Sequence, residues 1–148
     1  MSPDTPPARR IHVVAGVLVG PDGRVLIAER PPGRHLAGGW EFPGGKLEPG
    51  EERLAGLGRE LAEELGIVLL AAEELLRHDI PYPDRIILLD TWRVTRWRGE
   101  PRGLEGQALK WVAPAQLPAE RILEGNRPIV EALLGQGPGG PGRSASSK

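Results

Sequence analysis

The sequence predicts one α/β domain, a mixed β-sheet sandwiched between helices. Three observations predict it. Runs rich in β-branched residues, with Ile11–Val19 and Ile86–Thr95 the clearest, are bounded by polar and glycine-bearing segments. Glu51–Leu65 repeats leucine at helical spacing, and Arg127–Leu134 sets Ile129, Val130, Leu133 and Leu134 at helix-like offsets. A length of 148 residues suits a single core.

At the ends, residues 1–10 carry Pro3, Pro6 and Pro7 with few large apolar side chains and read as a disordered arm. Residues 135–148, GQGPGGPGRSASSK, read as a flexible tail. The ordered domain is then expected over 11–134. Its first strand, Ile11–Val19, stops at the turn cluster Gly20-Pro21-Asp22-Gly23, and Arg24–Glu29 follows as a second strand, so the pair reads as a hairpin. Residues 31–50 concentrate glycine and proline and read as a long irregular loop, of the kind that often carries function.

The helix over 51–65 has Glu51 and Glu52 in its first turn, at the positive end of the dipole, Pro49 at its entry and Gly66 at its exit. Leu54, Leu57, Leu61 and Leu65 form the stripe expected to face the core. Gly56 and Gly58 are costly inside a helix, about 1 kcal/mol each relative to alanine. Gly58 projects near the leucine stripe, where close helix–sheet approach would explain it. Val68–His78 fits helix or strand by pattern alone, Ile86–Thr95 is a strand and Ala108–Val112 a short one.

Composition excludes several functions. Cysteine is absent, which removes disulfides, iron–sulfur ligation and thiol catalysis. His12, His35 and His78 are scattered, unlike the ligands of a structural zinc. Nineteen basic against 20 acidic residues leave a formal net charge of −1, which argues against polymeric nucleic acid as a partner but not against a single nucleotide. No apolar run approaches a membrane span, and the first ten residues lack the apolar core of a secretory leader, so no membrane partner and a cytoplasmic location are expected. A monomer is expected.

Glu60, Glu63 and Glu64 stand at i, i+3 and i+4, within an arc of roughly 100° on the helix. Two such charges about 6 Å apart repel by roughly 3 kcal/mol at an effective dielectric near 20. A hard divalent cation would turn that repulsion into binding. A solvated acidic face is the other reading of these three residues alone.

Their surroundings narrow the choice. Gly45, five residues, Glu51, seven residues, Arg59-Glu60-Leu61, one residue, Glu63-Glu64, one residue and Gly66-Ile67 together resemble the signature of the Nudix hydrolases at every defined position. Beyond it, Trp40-Glu41-Phe42-Pro43-Gly44-Gly45-Lys46, Tyr82-Pro83-Asp84-Arg85, Leu104-Glu105-Gly106-Gln107 and Gly125-Asn126-Arg127-Pro128-Ile129-Val130 resemble the MutT-type 8-oxo-dGTP diphosphatases of that family. Tyr82 stands where that subfamily has phenylalanine, and the loop Pro31–Gly39 has its own sequence.

The resemblance implies the Nudix fold and hydrolysis of nucleoside triphosphates to monophosphate and pyrophosphate. It implies Mg²⁺ or Mn²⁺ held by Glu60, Glu63, Glu64 and Glu105 with the Gly44 or Gly45 carbonyl, and a catalytic base among Glu60, Glu63 and Glu105. It implies a base pocket built from Asn126, Phe42, Arg30 and Arg85 with His35 nearby; Lys46 suits phosphate oxygens. Arg59 can form a bidentate pair with Glu51 in a structural role. The implied task is removal of oxidised purine nucleotides from the precursor pool, in support of DNA replication and repair. The alternatives are a Nudix diphosphatase of other range (broad dNTP or CTP, ADP-ribose, dinucleoside polyphosphate) and a non-catalytic recognition module. The whole acidic cluster speaks against the last.

Overall fold

The computed structural model describes residues 9–136, so most of the expected arm and nearly all of the expected tail lie outside the described residues. Strand β1 (Arg9–Leu18) sets the plan. Val14 and Leu18 lie on one face, Ala15 and Val17 on the other, and all four are buried. A strand buried on both faces needs cover on both sides. One side is covered by α1 (Arg53–Leu65), packed through Leu57, Leu61 and Leu65. The other is covered by α2 (Arg127–Gln136), through Ile129 and Val130, with the 3₁₀ segment Pro114–Ala119 contributing Leu117.

Two sheets share this arrangement. The first is mixed, in the order β4-β1-β6-β5, with β4 (Gly44–Lys46), β5 (Val68–Tyr82) and β6 (Arg85–Arg98). In it β1 runs parallel to β6 and antiparallel to β4. The second is β3-β2-β7, with β2 (Val25–Glu29), β3 (Trp40–Glu41) and β7 (Leu109–Val112), all antiparallel. A 3₁₀ turn at Glu124–Asn126 precedes α2. Among the described residues no helix is long and apolar enough to cross a membrane.

Several expectations change. The expected turn at 20–23 forms, with the Gly20 N–H donating to the Arg24 carbonyl at 2.8 Å, but the two strands it joins belong to different sheets and pair only through an isolated bridge, Val19 to Val25. The loop 31–50 contains two short strands, one edging each sheet. Val68–His78 is strand, because pairing with β6 along its length, through several register shifts, satisfies its backbone. Helix α1 begins at Arg53. Glu52 is its N-cap and accepts from the amides of Leu54 (3.1 Å) and Ala55 (3.0 Å), while Glu51 lies outside the helix. Gly66 closes it at φ 72°, its N–H donating to the Ala62 carbonyl. Leu54 falls at the solvent end and is 36% exposed.

The start of α1 is tied to the sheet. Arg53 donates from Nε (2.6 Å) and Nη2 (2.9 Å) to the buried carboxylate of Asp90 on β6, and His12 Nε2 lies 2.8 Å from the same group. Burial works to raise the Asp90 pKa, but Arg53 and His12 outweigh it and hold the carboxylate below its usual range.

The two helix glycines differ. A Cβ on Gly56 would collide with the Leu47 side chain and stand 3.1 Å from the Glu51 carboxylate, so Gly56 is the point of close approach. A Cβ on Gly58 would meet only Leu69, at an ordinary 3.7 Å, which corrects the expectation that Gly58 serves close packing. Gly58→Ala is therefore expected to raise stability by about 1 kcal/mol through helix propensity, and Gly56→Ala to lower it. Denaturant midpoints at unchanged m-value check both.

Candidate active site

One cleft of about 800 Å³ opens beside β4 and reaches the turn before α2. Its walls include Gly44, Gly45, Lys46, Glu64 and Glu105, and also Arg30, His35, Phe42, Arg85 and Asn126. Residues far apart in the chain thus meet around one space. Glu60 and Glu63 are not in its walls, nor are Glu51 and Arg59.

Strand β4 brings its glycines close to both β1 and α1. A Cβ on Gly44 would collide with the Val14 carbonyl, and one on Gly45 with the Glu60 carboxylate. Only glycine lets this strand lie there. Arg59 bridges loop and helix. Its Nε and Nη2 donate to the two carboxylate oxygens of Glu51 at 2.7 and 2.9 Å, and Nη2 also donates to the Lys46 carbonyl at 3.1 Å. Its Nη1 reaches Glu60 at 3.1 Å and Glu63 at 3.3 Å. The guanidinium holds the Glu51 carboxyl down to about 2.

Glu64 and Glu60 carry the opposite shift. Burial, followed by the charges of Glu105 and Glu60, pushes Glu64 up to about 8. Burial raises Glu60 too, against the pull of Arg59. Glu63 is more than half exposed. Glu105 sits in the turn before β7 and donates its backbone N–H to Gln107 Oε1 at 2.9 Å. Among the described residues no three acidic or imidazole groups already converge around one point. The donor set nevertheless suits a hard cation: a half-enclosed Glu64 whose ionisation is opposed by burial and by neighbouring carboxylates, beside a main chain without side chains in the way.

On the other side of the cleft, Asn126 is 8% exposed and its Oδ1 accepts the Phe42 N–H at 3.0 Å. Phe42 is itself buried in the core under α2 while forming part of the wall. Arg30 Nε lies 3.1 Å from both oxygens of Glu41, and its Nη1 donates to the His35 carbonyl at 3.0 Å. His35 thus contributes its backbone to this contact. Arg85 stacks over the Tyr82 ring at 4.5 Å and pairs with Asp84. Lys46 extends from the end of β4 and is exposed.

Sequence reasoning gave no role to Glu41, His78 or Gln107, all of which line the cleft. Glu41 and Gln107 lay inside segments already singled out. His78 lay in the ambiguous stretch, where the alternation Leu76, His78, Ile80 was the available signal. Burial raises the Glu41 pKa, with Arg30 opposing.

The NUDIX domain family matches residues 14–132. An 8-oxo-dGTP diphosphatase of Haemophilus influenzae is 39% identical over 126 residues, 85% of this chain and 93% of that protein. A CTP pyrophosphohydrolase of Escherichia coli is 38% identical over 126 residues, with the same coverage of 85% and 93%. Among solved structures, MutT from a study of Aliivibrio salmonicida and Vibrio cholerae superposes with a TM-score of 0.77 at 38% identity, covering 86% of this chain and 99% of that one. The E. coli ORF135 protein superposes with a TM-score of 0.81 at 36% identity, covering 90% and 95%.

Proposed function

Because the chain belongs to the Nudix family of hydrolases, we propose that it converts nucleoside triphosphates to monophosphate and pyrophosphate with Mg²⁺ or Mn²⁺, and that 8-oxo-dGTP is its preferred substrate. The observation that carries this reading is a cleft that unites Glu64, Glu105 and the β4 glycines with the Asn126 amide. One end suits a triphosphate and its counter-ions; the other suits a base.

Glu60, Glu63, Glu64 and Glu105 would hold the cation, with a carbonyl of Gly44 or Gly45. A bound divalent ion supplies neutralisation of phosphate charge and acidifies the attacking water. Water would attack the β-phosphorus, the bond from Pβ to the bridging oxygen would break, and the nucleoside monophosphate would leave with that oxygen while the water oxygen stays on the pyrophosphate. Glu60 is the first candidate to take the water's proton, since burial makes its carboxylate more basic; Glu63 and Glu105 are the others. Lys46, exposed at the end of β4, would pair with phosphate oxygens.

At the base end, one lone pair of Asn126 Oδ1 is taken by the Phe42 N–H, which leaves a second lone pair and the amide N–H groups. 8-Oxoguanine presents an O6 acceptor beside an N7–H donor, a complement to that edge. Guanine has a bare N7 acceptor, which would face the oxygen unpaired. A buried site built on such a bond discriminates strongly. Arg30, fixed by Glu41, and Arg85, stacked on Tyr82, are proposed to border the base. The chain is proposed to act as a cytoplasmic monomer on the free nucleotide pool.

The two relatives named for 8-oxo-dGTP and for CTP match almost equally, so identity does not choose between them. A panel of 8-oxo-dGTP, dGTP, CTP, dCTP and ADP-ribose with Mg²⁺, and with a metal-free control, tests the reading. The expected result is kcat/KM for 8-oxo-dGTP at least about 100-fold above dGTP. Faster turnover of CTP would overturn the substrate while leaving the reaction intact.

A further inference from the structure

His78 lies in the cleft wall with no part in the chemistry above. It sits on β5 opposite Leu89 of β6 and near Ile80, on the face that packs under α2. Its Nε2 is 2.8 Å from the Gly125 carbonyl. A carbonyl only accepts, so Nε2 carries the proton and donates. Nδ1 of the same ring is buried and has no hydrogen-bond partner among the described residues.

Gly125 is pressed against the same strand. A Cβ there would stand 2.7 Å from Ile80 Cδ1, too close to fit without movement. The backbone just before Asn126 is thus held on β5 by one hydrogen bond and one close packing contact. Asn126 in turn accepts the Phe42 N–H across the cleft wall. An imidazole with one buried nitrogen unpaired is an uneconomical packing residue, since an apolar side chain would leave nothing unsatisfied.

We propose that His78 is a positioning residue for base selection: by holding the Gly125 carbonyl it sets where the Asn126 amide meets the base. This rests on the proposed reading that Asn126 contacts the base, not on which base is preferred. Loss of the Nε2 donor frees the 124–126 turn to shift, which misplaces the amide without touching the carboxylates on α1.

The test compares kcat and KM of the full chain, with Mg²⁺, on its best and worst nucleoside triphosphates. His78→Leu is expected to lose about 10-fold in kcat/KM for the best substrate, through KM, with the worst substrate unchanged. His78→Gln, whose amide can donate to the same carbonyl, is expected to recover most of that loss. His78→Phe removes the donor but keeps a ring, and serves if the leucine variant does not fold. In an Asn126→Ala background the leucine change is expected to alter the best-to-worst ratio no further. An equal loss on all nucleotides, no loss, or full additivity with Asn126→Ala would overturn the proposal. A wild type preferring another base sinks the 8-oxo-dGTP reading, yet the ratio is still read on the base it prefers. A wild type without base preference overturns both.

Discussion

Glu64→Gln is expected to lower kcat by about 10³-fold and, in the absence of metal, to make the protein more stable at pH 8. Both effects have one cause. Glu64 is driven up to about 8 by burial and by the charges of Glu105 and Glu60, so its ionised form is unwelcome in the folded protein unless a cation joins it. The folded pKa lies above the unfolded one, near 4.5. The stability involved is therefore fully present below about 4.5 and is lost as pH rises through about 8. Linkage puts the whole shift at about 5 kcal/mol, and solvent access to the cleft lowers the expectation to about 2 kcal/mol. Glutamine cannot ionise and escapes that loss, but it also removes the hard anion proposed to hold the cation, an expected cost of several kcal/mol of transition-state stabilisation. Thermal unfolding of both proteins from pH 5 to 9, with and without Mg²⁺, checks the first effect, and steady-state kinetics the second. Added Mg²⁺ should stabilise the wild type more than the variant. A variant that keeps wild-type kcat, or that shows the same pH-dependent stability, would remove Glu64 from the proposed cation site.

Arg59→Lys is expected to lower kcat by about 100-fold on every nucleotide and to leave their ranking unchanged. One guanidinium holds Glu51 bidentately, the Lys46 carbonyl, Glu60 and Glu63. A lysine is a single point of charge and cannot keep that fork. Strand β4 and α1 would then lose their common anchor, and displacement of about 1 Å at a reacting centre is enough for such a loss. Asn126 and Phe42 are linked to each other and not to Arg59, so base selection should survive. The acid side gives a second check. Arg59 holds Glu51 down to about 2, so their pairing is present above the ordinary carboxylate range and is lost only as pH falls toward about 2. Arg59→Ala should move that loss up toward the ordinary range, visible in the carboxylate NMR shift of Glu51.

Helix α1 was legible because its signals are local. Leu57, Leu61 and Leu65 recur at its period and Gly66 stands at its exit, and these residues do the same work in the structure. Local pattern misplaced its first turn, since Glu52 caps and Glu51 turns away to Arg59, a choice made by a side chain eight positions on. Strand identity was harder. Val68–His78 has no decisive period, and its state follows from β6 lying alongside. The expected hairpin failed for the same reason: Ile11–Val19 pairs in parallel with a strand more than seventy residues away, which no turn sequence announces.

The candidate site divides the same way. The order and spacing of Gly45, Glu51, Arg59, Glu60, Glu63 and Glu64 are chain-local, so the sequence alone determined the chemistry these residues are suited to and the family they mark. Which groups face the cleft is a matter of long-range contact. Tertiary structure alone decided that burial and the charge of Glu105 raise the cost of ionising Glu64, that Glu41 clamps Arg30, that Gly56 rather than Gly58 meets its neighbours, and that His78 holds the turn before Asn126. Spacing along a helix is set by covalent geometry and can be read in advance; burial, pairing and the fields between charges exist only once distant segments have packed together.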